Sequence, residues 1–299
     1  MRFGIMAMQL SKLIPSGLKP EEMLDHIGKF SQADLVNQLA DQGFQLIELG
    51  GDLTLFFPQA FMPSAIEELA ELKNQRNLSY TVHLPLWSVE VSTPLEHVRE
   101  GSVRAIIDVI TACSLLEPEV FVLHATGSLA AEFYRMNLPD MAHGLLLRQF
   151  QNGARRSIQT ILEKTRIPSR KLAIETIEFP FDLTLELAED LDLSICLDTG
   201  HVLVGFSGPV GIFEATEKSL PRLGEVHLHD GPWQGPERKI GYGKDHQPIG
   251  KGDLDVGRFL DQLNEANYRR PIIFELQLPE ALDSLQIVRS IRPSYVTEF

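Results

Sequence analysis

Two short runs within residues 171–201 decide the reading of the fold. Leu172-Ala173-Ile174-Glu175 is apolar until it ends on an acid. Ser194-Ile195-Cys196-Leu197-Asp198 does the same and continues into Thr199-Gly200-His201. Neither run alternates apolar with polar residues, so each expects cover on both faces. That is how a strand reads inside a parallel sheet flanked by helices. The segment between them, with Asp182–Asp190 as a weak helical pattern, is long enough for the crossover that parallel strands require.

The same unit recurs in both directions. Further strand-like runs fall at Phe3–Met8, Leu46–Leu49, Tyr80–Leu84, Val120–His124, Glu225–His229 and Ile272–Leu276. Amphipathic stretches lie between them at Asp34–Gln42, Pro63–Arg76, Leu95–Leu115, Asp140–Lys164, Gly211–Leu220, Leu254–Asn267 and Pro279–Ile291. Pro63, Pro139 and Pro279 stand near helix starts, where a missing N–H costs little. Eight strands, each followed by a helix, predict an α/β chain folded as one (β/α)8 TIM barrel over residues 1–299. An open doubly wound sheet would usually carry G-x-G-x-x-G after the first strand, but here Gln9-Leu10-Ser11-Lys12 follows it. Two connections are long, 9–31 and 231–252. Long loops in compact domains are often functional.

Composition sets the outer bounds. The 299 residues are 43% hydrophobic and 23% charged, as in soluble globular proteins. No apolar run of about eighteen residues predicts a membrane span, and the first residues lack a signal-peptide pattern. Cys113 and Cys196, the only cysteines, read as small core residues, so a cytoplasmic location is expected. The net charge of −14 repels duplex nucleic acid and anionic membranes.

The chemistry sits at the strand ends. His83 and His124 close the third and fourth strands, and Glu175 and Asp198 the fifth and sixth. His201 follows one turn later. His227 and His229 close the seventh, and Glu275 lies near the end of the eighth. In a barrel these ends converge on one mouth. Several carboxylates and imidazoles there, with few cations on the same strands, would repel without a bound cation. The mixture suits Mn, Zn, Fe or Co ions, one to three per chain. His227 and His229 can both face inward; one would ligate and the other support it or touch substrate. The 231–252 loop adds Arg238, Lys239, Lys244 and Lys251 as a landing place for phosphate, Trp233 and Tyr242 as stacking rings, and the pair Asp245-His246.

The ordered set resembles the xylose isomerase-like TIM-barrel superfamily, which includes sugar-phosphate isomerases and epimerases and the endonuclease IV group. The matching pieces are Val82-His83-Leu84-Pro85, Val122-Leu123-His124, Ala173-Ile174-Glu175-Thr176, Leu197-Asp198-Thr199-Gly200-His201 and Val226-His227-Leu228-His229-Asp230. They continue with 245–252, from Asp245 to Gly252, and with Phe274-Glu275. The resemblance implies that Glu175, Asp198, a seventh-strand histidine and Glu275 hold a common metal. It also implies that His83, His124, His201 and Asp245-His246 hold additional ions, as in endonuclease IV. Gly243-Lys244-Asp245-His246 departs from the Asp-x-His pair of that group. Residues 80–86 and 245–248 are also similar to cobamide-remodelling phosphodiesterases.

Two reactions are therefore expected in competition. One is hydrolysis of a small, phosphorylated substrate at a multinuclear site, with Glu175, Glu275, His201 and His229 as catalytic groups and Trp233, Arg238, Lys244 and His246 contacting substrate. The nucleotide loop of a cobamide is one such substrate. The other is isomerisation or epimerisation of a sugar, with Glu175 and Glu275 moving the proton. The number of ligands favours the first.

Overall fold

The computed structural model describes residues 1–15, 17, 19–234 and 243–296. Eight parallel strands close into a barrel in chain order. They are β1 (Arg2–Met6), β2 (Leu46–Gly50), β3 (Ser79–His83), β4 (Phe121–Leu123), β5 (Leu172–Glu175), β6 (Ser194–Asp198), β7 (Leu223–His227) and β8 (Pro271–Phe274). Closure is made by β1 pairing with β8, Phe3 opposite Ile272 and Ile5 opposite Phe274. The expected fold is the observed one. Six of the strands are buried along their whole length, as their unalternating sequences imply. β1 is half-buried at its two end residues, and β3 at Ser79.

The outer helices arise from local signals. Ser31 accepts from the Asp34 amide and starts Gln32–Asp41, and Asp255 does the same for Val256–Glu265 through Arg258. Pro63 opens Pro63–Arg76, which ends where Asn77 turns left-handed at φ 53°. Several helices were not expected. Among them, Leu10–Leu13 and Pro20–Lys29 occupy the first long connection, and Ser128–Arg135 follows β4. The last is held by tertiary contact: Ala130 and Tyr134 pack with Leu147, Phe150 and Phe179. No helix among the described residues is long and apolar enough to cross a membrane. Cys113 and Cys196 are buried and free, as expected.

Strand ends fix where side chains go. Register places Asp198 opposite His227, and Glu175 opposite Cys196. The C-terminal ends of β3 to β8 thus present their polar residues around one mouth, while Glu48 and Glu225 are buried beneath it.

Candidate metal centre

Glu175 is the centre of the arrangement. It is 1% exposed, and its two oxygens face different partners. Oε2 lies 3.0 Å from Nε2 of both His83 and His124. Oε1 lies 3.2 Å from His201 Nδ1 and 3.7 Å from His227 Nδ1. Burial opposes the carboxylate charge, but the surrounding imidazoles, His124 first, hold Glu175 well below the usual range. Glu275 behaves alike, with His227 and His246 outweighing its burial. The same contacts raise His83 and His201. Burial works against a charged His83, yet the Glu175 bond and charge lift it to about 9. His201 reaches about 9 against its burial through Asp198 and Glu175.

Asp198 divides its work. Oδ1 accepts from the His201 amide at 2.6 Å and caps Thr199–Leu203. Oδ2 turns to the cluster, 2.7 Å from His229 Nε2 and 3.8 Å from His227 Nδ1.

The seventh-strand histidines differ in a way their spacing could not show. The His246 amide donates to His229 Nδ1 at 2.9 Å. The His229 proton must then sit on Nε2 and donate to Asp198. His229 therefore supports Asp198 and has no lone pair free in this state. A Cβ at position 200 would collide with its ring, so Gly200 makes room for it. His227 is reversed. Its Nε2 faces Glu48 Oε2 at 3.2 Å, and its buried Nδ1 has no hydrogen-bond partner.

Three buried atoms that face charged neighbours but lack a well-formed hydrogen bond meet at one place: Glu175 Oε1, His227 Nδ1 and Glu275 Oε2. Burying such atoms is costly. With Asp198 they form a group whose ligand atoms lie within 4.8 Å of one another. His227 Nδ1 stands 3.3–3.8 Å from the three carboxylate oxygens. A cation about 2.1 Å from four tetrahedral donors would space them about 3.4 Å apart. The donor set fits a divalent metal. Three further groups of that kind adjoin it among the described residues: His83–His124–Glu175, His201–His229–His246 and Glu48–Glu225–His227.

Asp245 and His246 arrive from the loop after β7. Asp245 Oδ2 lies 2.9 Å from His246 Nδ1 and 3.7 Å from His201 Nε2. His246 Nε2 lies 3.3 Å from Glu275 Oε2. His246 stacks on His229 with centroids 4.2 Å apart. Against the desolvation of its ring, Glu275 and Asp245 raise His246 to about 11, and bonding to His246 brings Asp245 down to about 2 against its own burial.

The other expected contacts are not assembled. Lys244 and Lys251 are exposed, and neither they nor Trp233 line the central cavity. Lysine in water keeps its hydration, which a cavity wall this close to the histidines would remove. Arg238, Lys239 and Tyr242 lie outside the described residues. Sequence reasoning missed Glu48 and Glu225, both buried under the cluster beside His227. The signal was present: an acid inside an otherwise apolar strand, as in Leu46-Ile47-Glu48-Leu49. Glu225 accepts from Thr81 Oγ1 at 3.1 Å, and burial followed by the charge of Glu48 raises it to about 8.

The cavity over this cluster measures about 480 Å³. The architecture is an eight-stranded parallel barrel with acids and imidazoles gathered at its C-terminal mouth, where they form candidate ligand groups for a cation. Residues 36–291 match the family described as xylose isomerase-like TIM barrel, and the chain belongs to that family. Two Methanocaldococcus jannaschii proteins, MJ1311 and MJ1614, both described as uncharacterized, are each 24% identical to it. MJ1311 aligns over 76% of this chain and 74% of its own length, MJ1614 over 73% and 77%. Among solved structures, a D-tagatose 3-epimerase-like protein superposes with a TM-score of 0.71 at 21% identity, covering 98% of this chain and 97% of that one. Endonuclease IV from Thermus thermophilus superposes at 0.63 and 21% identity, covering 98% and 99%. Likeness at this level establishes the fold.

Proposed function

We propose that the chain is a divalent-metal-dependent hydrolase of a small phosphodiester. One observation carries this reading: the two oxygens of Glu175 serve two separate ligand groups, His83 with His124 on one side and His201 with His227 on the other. A carboxylate so placed would serve as a ligand to an ion on either side of it. Glu175, Asp198, His227 and Glu275 would hold one ion, and His83, His124 and Glu175 the next. Bound there, the ions supply Lewis acidity and an activated water. The protein's part is positioning. Glu48 fixes the His227 tautomer so that Nδ1 faces inward, and His229 orients Asp198. Asp245 accepts from Nδ1 of His246, so that Nε2–H can protonate a departing alkoxide at the mouth. The substrate is small, because it must fit a cavity at the mouth of a closed barrel, and the acidic chain repels duplex DNA. The nucleotide loop of a cobamide falls in this class.

The second reading is isomerisation or epimerisation of a sugar. It is favoured by Glu175 Oε1 and Glu275 Oε2, which lack a well-formed hydrogen bond, face the same space and suit an acid/base pair. A metal titration beside two assays separates the readings. His124→Ala is expected to lose the second ion, keep one, and lower diester hydrolysis by orders of magnitude. One ion in the unaltered protein, inert diesters and deuterium exchange into a ketose would establish the sugar reading instead.

A further inference from the structure

The cavity has two unlike walls. One is the cluster of acids and imidazoles. The other is a shelf of Met6, Met8, Leu10, Leu86, Trp87 and Leu276, contributed by the end of β1, the start of the helix Leu10–Leu13, and the segments that follow β1, β3 and β8. The shelf is continuous with the cluster inside one cavity.

Its polar groups are nearly all spent. Asp52, buried at the shelf edge, accepts from the amides of Leu86 at 3.0 Å and Trp87 at 3.4 Å. Glu280 accepts from the Gln277 amide, and Gln277 Nε2 donates to the Met8 carbonyl. No lysine or arginine lines the cavity among the described residues. A polyhydroxylated arm would strand its hydroxyls on such a surface, at a cost for each unmade hydrogen bond.

The aromatic is also held in place while exposed. Trp87 is 55% exposed, yet Asp52 anchors its backbone and Phe56 packs against its ring edge at 5.9 Å. Leu10, on the same shelf, is 49% exposed. Rigid apolar surface at the mouth of a site gains its stabilisation when a ligand covers it.

We infer that this shelf binds the non-reacting arm of the substrate, and that the arm carries a flat apolar ring system. Trp87 is the specificity determinant, stacking on the ring. The inference rests on the hydrolytic reading for the identity of the reacting group, not for the shelf itself.

Calorimetry on the Mn-loaded protein tests it, with 2-naphthyl phosphate and methyl phosphate as probes. The naphthyl probe is expected to bind at least tenfold more tightly, about 1.4 kcal/mol. Trp87→Ala should cut that preference below about threefold, and Trp87→Phe should restore most of it. Equal binding of the two probes, or a preference untouched by Trp87→Ala, overturns the subsite. Hydrolysis is scored separately, on 4-nitrophenyl diesters with methyl or naphthyl second arms. A Trp87-dependent naphthyl preference without any hydrolysis removes the hydrolytic reading and leaves the subsite standing.

Discussion

At the scale of single residues, the site is a matter of which atom of each side chain is committed. Asp198 spends one oxygen on a helix start and keeps the other for the cluster. His229 spends Nδ1 on a backbone amide, and His227 spends Nε2 on a carboxylate. Protons and metal therefore compete for what remains. His83 and His201 titrate near 9 in the folded chain against an ordinary 6.5. A raised folded value stabilises the metal-free protein fully below about pH 6.5, and this contribution is lost as pH rises through about 9. Over the same window, deprotonation frees ring nitrogens for metal. Chelator-treated protein is thus expected to melt lower at about pH 9 than at about pH 6.5, while metal affinity rises. Melting curves and metal titrations at a series of pH values check both, and a flat profile in either defeats the account.

At the scale of elements, the critical piece is the loop that brings Asp245 and His246 to the mouth. Its two ends are tied at Asp230, which is fully buried. The Asp230 carboxylate accepts from the amides of Gly231, Gly250 and Leu254 at 2.8–2.9 Å. Its backbone pairs with Gln247 as an isolated bridge. Asp230→Ala leaves these amides unpaired, and a single buried orphan costs about 1–3 kcal/mol. The variant is expected to melt several degrees lower, bind metal more weakly, and be cut faster by protease between 231 and 252. Unchanged proteolysis would show that the loop is held by something other than Asp230.

At the scale of the whole molecule, folding is expected to survive the loss of a single site ligand. The barrel is closed by backbone ladders and an apolar core that runs from Met1 to Val288, while the cluster occupies its rim. Asp198→Asn tests this. Asparagine can still cap the helix, but its amide opposes the Nε2–H of His229, one donor against another, at about 1–3 kcal/mol. That is small beside the roughly 5–15 kcal/mol of a typical domain. The variant should lose most metal and activity yet melt in one cooperative step. A variant that is unfolded without metal would make the centre structural.

Much of this was legible in the sequence. Covered strands read as uninterrupted apolar runs, and barrel topology then places every strand end at one mouth, so Glu175, Asp198, Glu275 and one or other of His227 and His229 could be picked out as neighbours. The helices at 32–41, 63–76 and 256–265 lie within two residues of the periodic stretches that predict them. What the sequence left open was decided by contacts between residues far apart along the chain. The roles of His227 and His229 depend on Glu48 and the His246 amide, 179 and 17 positions away. The two-sided use of Glu175 depends on β3, β4, β6 and β7 together. The Trp87 shelf depends on Asp52 reaching the backbone of the next loop. Periodicity reports which face of an element is covered. It carries no record of which donor meets which acceptor once the elements close, and that pairing sets the chemistry here.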